Sequence, residues 1–240
     1  MIPLPQGTVL FDDADAVARA AADHLRALCA SAPHGRIAVC LSGGSTPRRL
    51  YTALAGAEYA DLPWSRLHWF FGDDRAVAAE DDLSNVRMAR EALGPASAIP
   101  AGQFHPIPMA DGPHAAAGRY EAALKAFYGA ETLDPARPLF DLVLLGLGED
   151  GHVASLFPGQ PALEETTAWV VAVPEAGMTP FVPRVSLTFP ALASARSVLL
   201  LVSGPGKRDP LARLAAGEDL PAARVRGPVR WFVDRAAADV

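Results

Sequence analysis

Three segments of this chain combine glycine with side chains that handle protons or anions. The densest is Gly146-Leu147-Gly148-Glu149-Asp150-Gly151-His152-Val153-Ala154-Ser155-Leu156-Phe157-Pro158, directly after the apolar run Leu142-Val143-Leu144-Leu145. A neutral imidazole can take a proton from water near neutral pH. That makes His152 a candidate general base, with Asp150 two residues before it and Ser155 three after. The competing reading is a histidine that caps a helix starting nearby. The second segment is Ser42-Gly43-Gly44-Ser45-Thr46-Pro47, between a strand pattern and a helix pattern. Glycines let backbone N–H groups approach an anion, the helix start adds a favourable dipole, and Ser42, Ser45 and Thr46 add hydroxyl donors. This suits a phosphate monoester, and a capped turn without ligand fits the same residues. The segment has neither the lysine of a nucleotide P-loop nor G-x-G-x-x-G spacing.

The third segment is Asp73-Asp74-Arg75, at the end of another apolar run. An arginine there can bind a carboxylate or an oxyanion, and an aspartate beside it can orient hydroxyls or a histidine. An isolated D-D-R is more commonly a surface ion pair. Its meaning changes if three strand ends converge on one crevice. Arg184 precedes a strand. Ser203-Gly204-Pro205-Gly206-Lys207 repeats the order of strand, glycine turn and helix, so Lys207 can complete a phosphate site or simply be solvated; Arg208 has the same ambiguity.

These segments need a frame that delivers strand ends to one place. Val17, Ala21, Leu25 and Leu28 recur at helical spacing over roughly Asp13 to Ala30. Ile37 to Leu41 reads as a strand, and the spacing predicts that Thr46 caps a helix beginning at Pro47 and stopping near Gly56. Leu67 to Phe71 is a strand ending at Gly72-Asp73-Asp74-Arg75. A helix follows from Ser84 or Asn85 to Leu93, stopped by Gly94-Pro95. Phe104 to Met109 reads as a short strand that its prolines demote to an edge or a loop. Pro113 to Tyr128 reads as a helix. Leu142 to Leu145, Trp169 to Val173, the segment resuming at Val185, Val198 to Val202 and Val229 to Val233 complete the strands. A late helix carries Leu211 and Leu214. Continuous apolar strands alternating with helices predict an α/β fold: a single doubly wound domain over residues 1–240, with a mainly parallel sheet covered by helices on both faces. The proline-rich stretch Pro174 to Pro183 is expected to be a surface loop.

Half of the 240 residues are apolar, enough for a substantial core, and the formal net charge is −6. An acidic chain argues against broad nucleic-acid or acidic-membrane partners but leaves room for a local basic pocket. Cys29 and Cys40 have no metal or disulfide spacing, and Cys40 sits in an apolar run as a small hydrophobe. His24, His34, His68, His105 and His114 form no metal-spaced pair and are left unassigned. We therefore expect no metal, no cofactor and no membrane span. The expected location is cytoplasmic, and the expected state is a monomer or weak homo-oligomer.

Taken together, S-G-G-S-T-P at Ser42 to Pro47, D-D-R at Asp73 to Arg75, Ser84-Asn85 and G-L-G-E-D-G-H-V-A-S-L-F-P at Gly146 to Pro158 resemble the 6-phosphogluconolactonase family. Arg184-Val185-Ser186-Leu187-Thr188 and S-G-x-x-K at Ser203 to Lys207 continue the resemblance in the family's order, over most of the chain. Two positions depart from it. The family usually has Glu at Asp74, and usually has Lys-Pro-Pro where this chain reads Met178-Thr179-Pro180-Phe181-Val182-Pro183.

The resemblance implies hydrolysis of 6-phospho-D-glucono-1,5-lactone in the oxidative pentose phosphate pathway, on a fold shared with glucosamine-6-phosphate deaminases. A lactone is an activated ester, so no covalent nucleophile is required. On this reading water attacks C1 and His152 takes its proton. Arg75 stabilises the oxyanion, and Asp73 orients substrate hydroxyls or the water. Ser42, Gly43, Gly44, Ser45 and Thr46, with Lys207 and Arg184, hold the 6-phosphate. Two rivals remain at this stage. An amino-sugar-phosphate isomerase or deaminase resembles the chain in fold, but its loop typically continues as Ala-Phe-Asn-Glu-Pro, whereas here it runs Ala154-Ser155-Leu156-Phe157-Pro158. A sugar-phosphate-sensing regulator would need a DNA-reading element, and the chain has no spare segment for one.

Overall fold

The computed structural model describes residues 2–32, 35–94 and 99–240. His34 and Pro95, singled out above, lie outside them. The first half of the chain supplies β1 (Thr8–Phe11), α1 (Ala14–Ser31), β2 (Ile37–Leu41), α2 (Ser45–Leu54), β3 (Leu67–Phe71), β4 (Asp73–Arg75), α3 (Asn85–Leu93) and α4 (Gly112–Tyr128). The second half adds β5 (Leu142–Leu145), β6 (Val170–Val173), β7 (Arg184–Leu187), α5 (Phe189–Ala193), β8 (Val198–Val202), α6 (Arg208–Ala215), β9 (Val229–Asp234) and α7 (Arg235–Ala238).

Six strands form one parallel sheet in the order β1-β9-β8-β5-β2-β3. Every residue of β2, β5 and β8 is buried, as strands covered by helices on both faces require. Helix α1 starts where Asp13 accepts a hydrogen bond from the Ala16 N–H at 2.7 Å. It buries the stripe Val17, Ala18, Ala21, Ala22, Leu25 and Cys29. From β2 the chain moves outward to β3. It then returns to the other side of β2 for β5 and continues outward through β8 and β9. The order therefore reverses between β2 and β5, and the carboxyl ends of strands at such a reversal frame a crevice for ligands.

The structure departs from the sequence expectations in several places. Asp73–Arg75 does more than end the preceding strand: it is the first strand of a second, antiparallel sheet, β4-β7-β6. Gly72 joins the two sheets: its N–H donates to Leu41 O at 2.9 Å and its carbonyl accepts from Leu187 N at 2.7 Å. Helix α2 begins at Ser45, with Gly44 at φ 103° as an N-cap that supplies no side chain. That left-handed turn is open to glycine, so the helix starts before Thr46 can cap it. Phe104 makes only an isolated bridge to Trp69, because Pro106 and Pro108 have no N–H with which to extend the pairing. No helix starts near His152: the 150–157 segment is a series of turns closed by a Val153–Leu156 bridge. Strand β1, short and half exposed on the sheet edge, was not anticipated. Among the described residues no helix is long and apolar enough to cross a membrane.

Candidate active site

The pleat of the small sheet sorts the three residues of β4. Neighbouring side chains on a strand point to opposite faces, and cross-strand partners share a face. Asp73 pairs with Ser186 and Arg75 with Arg184, while Asp74 pairs with Val185. Asp73, Arg75 and Arg184 accordingly line one cleft. Asp74 turns the other way, to the start of α3. Its carboxylate accepts from Arg75 N at 2.8 Å, Asn85 N at 2.7 Å, Ser84 Oγ at 3.2 Å and Val86 N at 3.4 Å. Burial raises the Asp74 pKa to about 6 against the pull of the Asn85 and Arg75 N–H groups, and neighbouring Asp73 adds to the rise.

The cleft, about 230 Å³, is lined by Ser42, Gly43 and Gly44 beyond β2, by Asp73 and Arg75, and by Asn85 at the start of α3. Gly146 to Glu149, His152 and Ala154 enter from the loop after β5, with Met178, Arg184 and Lys207 closing the rim. A larger cavity of about 530 Å³ lies behind Asp74. Its walls are mostly Ala, Val, Pro, Ile and Met, and the converging polar groups belong to the smaller cleft.

His152 is held by its own loop. Its Nδ1 lies 2.6 Å from Asp150 Oδ1, and its backbone N–H donates to the same oxygen at 3.1 Å. Burial works to raise the Asp150 pKa, but the hydrogen bond to His152 and its charge outweigh that and leave the carboxyl below its ordinary value. Gly148 is required by this geometry: a Cβ there would lie 2.0 Å from His152 Nδ1. Ala154 sits at φ 49°, an unusual conformation for a residue with a side chain.

Asp73 is almost fully buried and depends on fixed donors. Ser155 Oγ, wholly enclosed, donates to Asp73 Oδ2 at 2.6 Å. Asn85 Nδ2 donates to Asp73 O at 3.1 Å and reaches Oδ1 at 3.4 Å. Ser186 Oγ, in turn, accepts from Ser155 N at 3.2 Å.

Three cations face the cleft. Arg75 Nη1 donates to Leu83 O at 2.7 Å, and Arg184 Nη2 donates to Pro180 O at 3.0 Å. The Nε groups of both arginines are buried without a hydrogen-bond partner among the described residues, as is Ser203 Oγ. Together with the Lys207 ammonium, the two guanidinium groups give the cleft a positive side suited to an anion. Burial lowers the Arg184 pKa, with Asp73 countering it. Burial likewise lowers that of Lys207, countered by Glu149 and Asp150. Ser42 is clamped by the hydroxyl of buried Tyr51, which accepts from Ser42 N at 2.9 Å and donates to Ser42 O at 2.7 Å. That fixes the loop at the amino end of α2.

Of the residues singled out in sequence, the cleft brings together Ser42, Gly43, Gly44, Asp73, Arg75, His152, Arg184 and Lys207. Ser45 and Thr46 are not among its lining residues: Ser45 is exposed in the first turn of α2 and Thr46 is buried beneath it. Asn85, Glu149 and Met178 line the cleft without an assigned role in sequence, although all three lie inside segments quoted above. Among the described residues no group of three or more His, Cys, Asp or Glu side chains is placed to hold a metal ion.

Comparison with known proteins places the chain in a family. Residues 12–232 match the family model described as glucosamine-6-phosphate isomerases/6-phosphogluconolactonase. The chain is 41% identical to the 6-phosphogluconolactonase of Mycobacterium tuberculosis over 241 aligned positions, covering 95% of this chain and 96% of that one. It is also similar to the solved structure of 6-phosphogluconolactonase from Thermotoga maritima, with TM-score 0.81, 32% identity and 95% and 98% of the two chains covered. The corresponding Trypanosoma cruzi structure aligns with TM-score 0.86 at 28% identity, covering 99% of this chain and 97% of that one.

Proposed function

The chain belongs to the 6-phosphogluconolactonase family, within the glucosamine-6-phosphate isomerase/6-phosphogluconolactonase superfamily, and is a lactone hydrolase; we propose that it opens 6-phospho-D-glucono-1,5-lactone with a water molecule activated by His152. The observation that carries this reading is the 2.6 Å contact between His152 Nδ1 and Asp150 Oδ1, in a cleft that also presents three cations. An ionised Asp150 accepts the Nδ1 hydrogen, so the lone pair of Nε2 is left to take a proton from water. Water then adds to C1 of the lactone. The carbonyl electrons move to oxygen, and a guanidinium stabilises the oxyanion. Collapse expels the ring oxygen, which takes the proton back from the His152 imidazolium and becomes the hydroxyl of 6-phosphogluconate. General-base assistance is worth roughly 10²–10⁴-fold.

The substrate's two ends have separate partners in this reading. Backbone N–H groups at the amino end of α2, with Lys207 and Arg184, hold the phosphate. Arg75 is the candidate for the oxyanion, and Asp73, held by Ser155 and Asn85, accepts from substrate hydroxyls or the attacking water. The deaminase alternative calls for an acidic side chain shortly after Ala154. The side chains there are Ser155, Leu156 and Phe157, each fully buried.

The test is a continuous acid-release assay on freshly made 6-phosphogluconolactone, corrected for spontaneous hydrolysis, beside an ammonia-release assay on glucosamine 6-phosphate. Acceleration of the first with no turnover of the second supports the reading. Ammonia release without lactone opening refutes it.

A further inference from the structure

Phe157 is fully buried and stands apart from the main core. It centres a small cluster with Val173 and Ala176, flanked by Val171, Ala162 and Met178, beneath the segment that closes one rim of the cleft. Its ring is also in contact with the site. The His152 ring centroid lies 4.6 Å away at an interplanar angle of 44°. The Arg184 guanidinium carbon lies 5.3 Å from the same ring's centroid, within range of a cation–π contact. Otherwise the Arg184 guanidinium has one hydrogen bond, to Pro180 O, and its Nε is unpartnered. The ring is pressed from below as well: a Cβ at Gly177 would sit 2.8 Å from Phe157 Cβ, so only glycine fits beside it without displacing the ring.

We propose that Phe157 is a positioning residue for lactone opening: one aromatic ring fixes the orientation of the His152 imidazole and the placement of the Arg184 guanidinium. Asp150 restrains His152 through a single nitrogen, which leaves rotation about that hydrogen bond to be blocked by a flat neighbour. The direct contacts of the Arg184 guanidinium are the Pro180 carbonyl and this ring, while Asp73 acts on its charge from further away. The ring therefore helps to set where its charge lies without taking up a hydrogen-bond donor. The inference rests on His152 acting as base and Arg184 as an anion-binding cation, as proposed above.

The test is Phe157→Met, which fills a similar volume without a flat face. In the substrate-free protein the carbon-bound ring protons of His152 should lose the ring-current shift that Phe157 imposes on them. On the phosphorylated lactone, kcat should fall about tenfold through misplacement of the base and KM should rise about tenfold through misplacement of the cation. Val173→Ala is the control, since it loosens the same cluster and leaves the ring. A purely structural role predicts equal kinetic losses in both variants, and that result overturns the proposal. So does a folded Phe157→Met enzyme whose kcat and KM stay within about twofold of wild type. If Phe157→Met does not fold, Gly177→Ala pushes the ring from beneath and is read by the same measurements. A wild-type protein that opens no lactone refutes the parent reading; an active wild type with an unaffected Phe157→Met refutes this inference alone.

Discussion

Replacing Gly43 by alanine puts a methyl group where Asn85 already is. The new Cβ would lie 2.1 Å from Asn85 Oδ1, 2.6 Å from its Cγ and 2.8 Å from its Nδ2, against an ordinary contact of 3.4 Å or more. The amide must therefore retreat by over 1 Å. It is poorly free to do so, being almost fully buried, with its N–H pinned by Asp74 and its Nδ2 by Asp73. Overpacking of this kind costs about 1–3 kcal/mol, and losing the Nδ2 bonds to Asp73 adds about 1 kcal/mol. Alanine recovers up to about 1 kcal/mol by restricting the unfolded chain. The net loss is about 2 kcal/mol, equivalent to a Tm lower by roughly 4–8 °C in a chain of this size. Activity should fall further than stability, because the displaced groups are the anion loop and the clamp on Asp73. Thermal unfolding and kcat/KM should be measured for Gly43→Ala, Asn85→Ala and the double variant. Removing the amide makes room for the methyl, so the double variant should be more stable than additivity predicts by about 1 kcal/mol or more. A Gly43→Ala enzyme with unchanged Tm and kcat/KM, or strict additivity in the double variant, would refute the reasoning.

Ser155→Ala removes the enclosed donor to Asp73 Oδ2 at 2.6 Å; a hydrogen bond to a charged group is worth about 1.5–3 kcal/mol, so denaturant unfolding should report a loss near that size, and a loss under about 0.5 kcal/mol would mean Asp73 does not depend on it. Asp74 gives a pH test with a definite sign. Its carboxyl is raised to about 6 in the folded protein from an ordinary 3.8, so the stability it confers is fully present below about pH 4 and lost as pH rises through 6. Relative to wild type, Asp74→Asn should therefore gain roughly 2 kcal/mol between pH 4 and pH 7, and a pH-independent difference between the two proteins would contradict this. Lys207→Ala should raise KM for the phosphorylated lactone by about 10–100-fold with a smaller change in kcat, whereas unphosphorylated gluconolactone should be nearly indifferent to the substitution; equal losses on both substrates would remove Lys207 from the phosphate site.

Apart from the edge strand β1, the strands of the large sheet and its longer helices are legible in the sequence because local rules decide them. The runs at Ile37, Leu142 and Val198 are apolar throughout, and Asp13 and Ser84 are strong helix starts whose side chains do cap α1 and α3. The small sheet is not legible. Asp73–Arg75 is polar and only three residues long, and what makes it a strand is pairing with β7, more than a hundred residues away. The same pairing decides the site. Nothing in D-D-R says which aspartate faces the cleft; the register with Ser186, Val185 and Arg184 does. The helix start at Ser45 was obscured by Gly44, whose left-handed turn makes a side-chain cap unnecessary. His152, Asp150 and the glycines between strand and loop could be read directly, because their contacts are local. The partners of Asp73, namely Ser155 in the loop after β5 and Asn85 at the start of α3, are brought together only in the folded chain.

The most direct test of the account is the turnover of His152→Ala on freshly prepared 6-phosphogluconolactone, with spontaneous hydrolysis subtracted and the fold verified by circular dichroism. A general base acts in the transition state, so kcat should fall by about 10²–10⁴-fold while KM changes little. A correctly folded His152→Ala enzyme with near wild-type kcat would contradict the assignment of His152 as the base.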